Sequence, residues 1–267
     1  MPPNPQQKRR LIKYFNQSIR AHPDWPVLIS EGDSWFSYPL HPNVISILDT
    51  RAHRRLSLLR LERSGDELLT ILSGKQKAKL RRQLKRYPVQ ALLLSGGGND
   101  IVGENLLQLL REKDPPTRPW EQCINKVRFA RRLRQLECAY QELMDIRDDV
   151  NESCVIYTHG YDWAIPTGKG VKIGPFRIGP WLKPYLDRRK ITDPGDQRNI
   201  IRWMIDRFNE MQSGLAAANA KVVYVDCRGT LADGDWHNEM HPSRAGFRAV
   251  AALFAARLND QFPGAFG

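Results

Sequence analysis

A serine, an asparagine and a histidine stand at three distant points of the chain, each in a setting where its side chain could do chemistry. The first setting is Glu31-Gly32-Asp33-Ser34-Trp35, directly after the apolar run Val27 to Ser30. A serine hydroxyl performs acyl transfer when a base lies within hydrogen-bond reach, donors await the developing oxyanion, and a turn exposes the side chain. Gly32 gives the backbone freedom for such a turn, although Gly-Asp-Ser alone also suits a plain turn or a helix N-cap. The second setting is Leu92-Leu93-Leu94-Ser95 running into Gly96-Gly97-Gly98-Asn99-Asp100, where the Asn99 amide could donate to an oxyanion. These glycines follow neither the GxxxxGK(S/T) order nor GxGxxG, so they do not read as a nucleotide cradle. The third is Trp236-His237-Asn238-Glu239-Met240-His241-Pro242, ahead of an amphipathic helix whose first turn Pro242 suits. His241 at that junction is a candidate base, and one histidine at such a place is also a common structural feature.

In type and in order the three segments resemble the SGNH hydrolases, also called GDSL esterases and lipases. Gly32-Asp33-Ser34-Trp35 looks like the family's first block, Gly97-Gly98-Asn99-Asp100 like its GxND block and His241-Pro242 like its last. The resemblance implies Ser34 as nucleophile, His241 as general base, and an oxyanion hole built from Ser34, Gly65 and Asn99. It also implies a small ester or lipid substrate, no cofactor and no metal. The sequence departs from the pattern twice. Trp35 replaces a leucine at a packing position, and Asn238 stands three residues before the histidine, where the family has its acid. An amide can hold an imidazole tautomer but stabilises imidazolium less than a carboxylate does. Asn238, Asp235 and Glu239 therefore remain candidate orienting groups, with Asp235 the preferred carboxylate and Glu239 expected to face solvent or cap the next helix. A bare Ser34–His241 dyad is the fourth option.

His237 and His241 lie four residues apart with Asp235 and Glu239 nearby, but the order is not HExxH, and Pro242 opposes one continuous helix through both histidines. Metal binding is not expected.

To bring these residues together, the chain needs strands that end side by side. Val27 to Ser30, Ala91 to Ser95, Cys154 to Thr158 and Val222 to Asp226 read as strands, with Leu56 to Leu61 a weaker fifth. Helical spacing of apolar residues marks Glu121 to Asp149, then Ile201 to Leu215, then the segment from Phe247 to Leu258. Strands alternating with helices predict an α/β fold with a mainly parallel sheet covered on both faces. The family resemblance makes this a three-layer α/β/α sandwich, flavodoxin-like, with a five-stranded sheet. Residues 1–267 are read as a single domain interrupted by a proline- and glycine-rich excursion, 160–196, without apolar period. Segments of this kind often form binding walls. Tyr161, Trp163, Phe176, Trp181 and Tyr185 give it aromatic surface, and Trp35, His159, Trp163 and Trp181 are the expected substrate contacts.

Hydrophobic residues make up 41% and charged residues 26% of the chain, which excludes a disordered or disulfide-scaffold composition. No apolar run reaches membrane-spanning length, and Met1 to Ile29 is too polar for a signal-peptide core. With four cysteines lacking CxxC spacing, the expected compartment is the cytoplasm. The net charge is +12, concentrated in Lys75 to Arg86, which carries no acid. That run reads as a solvated helix face or as a surface for anionic lipid or nucleic acid, and a catalytically silent binding module using it is the alternative to an enzyme. It lacks the interleaved aromatics that stack on bases. The sequence gives no oligomeric state.

Overall fold

The computed structural model describes residues 5–267, and its five-stranded sheet is parallel throughout, in the order β2-β1-β3-β4-β7. The strands are β1 (Val27–Gly32), β2 (Ser57–Arg60), β3 (Ala91–Ser95) and β4 (Val155–His159), followed by a separate antiparallel hairpin, β5 (Val171–Ile173) with β6 (Phe176–Ile178), before β7 (Val222–Val225) returns to the main sheet. The helices are α1 (Pro5–Ala21), α2 (Ser34–Ser37), α3 (Val44–Arg51), α4 (Leu68–Ile71), α5 (Gly74–Arg86), α6 (Glu104–Leu109), α7 (Lys126–Val150), α8 (Lys183–Asp187), α9 (Pro194–Ala218) and α10 (Arg244–Gln261).

Alternation along each strand explains the three layers, because successive side chains leave a strand on opposite faces. Ile29, Leu92, Leu94 and Ile156 pack into one core with Phe15 of α1, Leu84 of α5, Leu143 of α7 and Phe208 of α9. Leu28, Ala91, Leu93 and Tyr157 pack into the other with Leu48 of α3 and Phe254 of α10. Both faces are covered, which is why the strands read as nearly continuous apolar runs.

Helix starts follow local chemistry. Asn125 caps α7 by accepting the Arg128 N–H (3.2 Å), and Asp193 caps α9 by accepting that of Asp196 (2.8 Å). Several boundaries differ from the sequence reading, among them the end of β1 at Gly32, the start of α9 at Pro194 inside the excursion, and the two that follow. The stretch 120–123 forms a separate 3₁₀ turn ahead of α7, and Pro242 lies outside α10, whose N-cap is Ser243. The excursion 160–196 also contains regular structure, β5, β6 and α8, in pieces of three to five residues, too short to leave a period in the sequence. The basic run forms α5, where Lys77 pairs with Glu142 (2.6 Å) and Arg81 with Asp149, both on α7, so part of its charge is matched. Among the described residues no helix is long and apolar enough to cross a membrane, and all four cysteines are unpaired.

Candidate active site

The carboxyl ends of β1 and β3 build the first half of the site. Gly32 pairs with Ser95, and a Cβ on Gly32 would sit 2.1 Å from the Ser95 carbonyl oxygen, so only glycine permits this approach. Its φ of +139° is a second reason. The Asp33 N–H then donates to the Ser95 carbonyl (3.0 Å), while the Asp33 carboxylate caps α2 by accepting the Trp35 N–H (3.0 Å). Ser34 is thereby fixed as the first residue of α2, with a backbone N–H in the helix's first, uncompensated turn.

The buried Asp33 carboxylate also accepts from the hydroxyls of Ser95 (2.6 Å) and Tyr161 (2.5 Å), and Tyr161 Oη accepts a longer bond from the Gly98 N–H (3.3 Å). Burial and the neighbouring Asp33 charge push the Tyr161 phenol well above its usual range, so it stays a donor. One tyrosine therefore ties the serine turn to the glycine turn that carries Asn99.

His241 comes from the loop between β7 and α10. This loop is folded around Asn238, whose Oδ1 accepts the backbone N–H groups of Met240 and His241, both at 3.0 Å. Backbone N–H groups only donate, so the atom facing them must be the amide oxygen, and Nδ2 is left to donate to Tyr38 Oη (3.2 Å). The same Oδ1 lies 2.9 Å from His241 Nδ1. Nδ1 therefore carries the hydrogen, Nε2 is a free base, and the Ser34 hydroxyl donates to it across 2.7 Å. Burial, then the neighbouring His237 and His41, depress the His241 pKa to about 3. Tyr38 stacks on the imidazole at 4.5 Å, and Trp181 meets it edge-on at 5.2 Å.

The GxND segment supplies the opposite rim. Asn99 Nδ2 donates one hydrogen to the Asp66 carbonyl (2.9 Å) and has a second to offer. Asp100, fully buried, accepts the N–H groups of Leu68 (2.7 Å) and Leu69 (3.2 Å) at the start of α4, and burial raises its pKa to about 6. These bonds hold the Gly65 turn (φ +85°) beside the Asn99 turn. Ser34 and Asn99 line a cavity of about 60 Å³ with Trp35, Tyr161 and apolar side chains of α6 and α9, among them Leu106, Met204 and Phe208.

Several sequence expectations are corrected here. Asp235 does not meet the imidazole; its carboxylate accepts the Ala232 N–H (3.1 Å) within its own 3₁₀ turn. Glu239 neither faces solvent nor caps the following helix, α10, whose N-cap is Ser243; it is fully buried and bonded to the excursion, including the N–H groups at the start of α8. His159 lies behind the site in the core, its Nε2 2.8 Å from Ser95 Oγ and its ring stacked against Trp35. Trp163 is also outside the cavity, its Nε1 donating to Asp206 (2.8 Å) and its ring lying 3.7 Å from the Arg202 guanidinium. On β6, Phe176 is exposed. Tyr38, Met204 and Phe208 were not singled out as site residues. The α9 stripe was visible as a buried period, but periodicity does not separate core packing from a cavity wall. Among the described residues no group of three or more histidine, cysteine or acidic side chains could hold a metal ion.

No family model and no curated protein sequence matches the chain. Its structure is similar to that of an extracellular lipase from Streptomyces rimosus, with a TM-score of 0.56 at 15% identity over 86% of this chain and 99% of that one. The lipase Lip_vut3 from goat rumen metagenome gives 0.55 at 15% identity, over 86% of this chain and 96% of that one. A carbohydrate acetylesterase from Sinorhizobium meliloti gives 0.53 at 10% identity, covering 89% and 100%. At these identities the likeness establishes the fold: the chain has the α/β/α sandwich of SGNH hydrolases and GDSL-type lipases.

Proposed function

We propose that this protein is a serine hydrolase that cleaves carboxylic esters through an acyl-enzyme on Ser34. The observation that carries the reading is the relay Ser34 Oγ–His241 Nε2–Asn238 Oδ1, with distances of 2.7 and 2.9 Å and a tautomer forced by the backbone. Ser34 Oγ attacks the acyl carbon as His241 Nε2 takes its proton, and the carbonyl π electrons move onto oxygen. The Ser34 and Gly65 N–H groups and the second Asn99 hydrogen are the donors for that oxyanion. Collapse of the intermediate breaks the ester C–O bond, and the imidazolium returns its proton to the departing alkoxide. Water then repeats the sequence on the acyl-enzyme, releasing the acid and restoring Ser34.

Asn238 orients the ring in place of the usual carboxylate. It holds the reactive tautomer but adds no negative charge to stabilise the imidazolium, so the oxyanion donors carry more of the catalysis. The apolar walls of the cavity suit a hydrocarbon acyl group, and unpaired thiols suit a reducing cytoplasm.

A fluorophosphonate probe tests the reading directly. It should label wild type at Ser34 and fail on Ser34→Ala, which should keep the wild-type circular dichroism and lose p-nitrophenyl ester hydrolysis. Hydrolysis retained by the folded variant would falsify the assignment.

A further inference from the structure

Glu239 stands on the same loop as Asn238 and His241, has no exposed surface, and has no part in the relay. Its carboxylate is committed to the excursion. Oε1 accepts the N–H groups of Gly168 (2.8 Å) and Lys183 (3.0 Å), and Oε2 those of Trp181 (2.6 Å) and Leu182 (2.8 Å). Each oxygen thus receives two donors, which fills the acceptor capacity of an ionised carboxylate. Its own N–H donates to the Lys169 carbonyl (3.2 Å), giving a fifth tie to the same segment.

The tethered segment reaches the chemistry at three places. The Trp181 ring meets the His241 imidazole edge-on at 5.2 Å, the Trp181 carbonyl accepts the Gly103 N–H (3.1 Å) ahead of α6, and Leu182 lines the Ser34 cavity. Without the carboxylate, these four backbone donors lose the acceptor they share; the β5–β6 ladder ties the two ends of the segment to each other, and Glu239 ties both ends, 168 and 181–183, to the His241 loop.

We propose that Glu239 is a positioning residue, a hydrogen-bonded clasp that locks residues 168–183 onto the His241 loop and so seats Trp181 against the imidazole. This inference rests on the Ser34–His241 hydrolase reading for its kinetic consequence, though not for the clasp itself. Only a carboxylate supplies enough acceptors. Glutamine at this position would keep one oxygen and turn an NH2 group towards two N–H donors.

The experiment compares Glu239→Gln, Trp181→Ala and the double variant with wild type, using active sites counted by fluorophosphonate and a soluble p-nitrophenyl ester. Glu239→Gln should lose kcat per titrated site by about 10- to 100-fold through misplacement of the base, with a smaller change in KM. Limited proteolysis should cut it faster within 168–183. In the Trp181→Ala background the same substitution should cost less than about threefold, since the two act through one contact. A lowered Tm with unchanged kcat per site would make Glu239 merely structural and overturn the proposal, as would a full additional loss in the Trp181→Ala background. Hydrogen exchange on wild type judges the clasp even where the variant does not fold: the Trp181, Leu182 and Lys183 amides should be as protected as that of His241, and rapid exchange at these three overturns it. Absence of labelling and hydrolysis in wild type would defeat the hydrolase reading alone, leaving exchange and proteolysis to decide the clasp.

Discussion

At the scale of single residues, the unusual feature is an amide where a carboxylate would be expected. Asn238 Oδ1 gathers three N–H groups, two from the backbone and one from the imidazole, so its orientation is set by the loop it stabilises. Asn238→Asp retains that geometry and adds a charge beside the ring, which should raise kcat by about tenfold or more; Asn238→Ala should lower it. The same pair of variants makes a pH prediction. In the proposed mechanism the neutral imidazole is the base, and burial holds the His241 pKa near 3, far below its ordinary value. Wild-type kcat/KM should therefore stay level as pH falls to about 5, and the acid limb should move upward in Asn238→Asp, where the carboxylate favours imidazolium. A wild-type acid limb centred near pH 6.5 would mean that the ring is far better solvated than its position implies. Asn99 tests the opposite rim: Asn99→Ala should reduce kcat by about 100-fold with a smaller change in KM, because its hydrogen bond strengthens only as the oxyanion forms. An effect confined to KM would reassign Asn99 to substrate binding.

At the scale of elements, α9 is the wall that selects the acyl group under the proposed function. Its stripe Ile201, Met204, Ile205 and Phe208 faces the cavity that Ser34 lines, whereas Trp163 packs under Arg202 elsewhere. Met204→Ala should shift preference in a p-nitrophenyl ester series towards longer acyl chains, at a stability cost of about 2–5 kcal/mol for the methylenes removed. Trp163→Ala should leave chain-length preference unchanged. The reverse outcome would put the acyl group on the excursion side. The excursion was legible as an interruption of the strand-helix rhythm, but its internal order was not, because Glu239, more than fifty residues downstream of most of it, supplies the bonds that hold it.

At the scale of the whole molecule, close packing places titratable groups where water cannot reach them. Glu31, at the end of β1, is desolvated and lies near Glu62, so its pKa rises from 4.5 to about 7. A carboxyl that holds its proton more tightly in the folded state than in the unfolded chain contributes stability that is complete below pH 4.5 and is lost as pH rises through about 7. Wild type should thus lose on the order of 3 kcal/mol from this group between pH 4.5 and 8, and Glu31→Gln should remove most of that slope in urea denaturation. An unchanged slope would mean that the carboxylate is solvated. The parallel sheet and its two covered faces were legible in the sequence itself, because apolar runs, helical spacing and glycine turns are local consequences of side-chain size and backbone freedom. Ser34, Asn99 and His241 stood out as a set only through an order of motifs that resembles the SGNH hydrolases. Which group meets the imidazole was decided only in three dimensions. Asp235, Asn238 and Glu239 all lie within six residues of His241 along the chain, and they diverge because one caps its own turn, one gathers the loop's N–H groups and one is drawn into the excursion. The choice among them depends on which backbone donors the fold leaves unpaired nearby, and that is a property of tertiary packing.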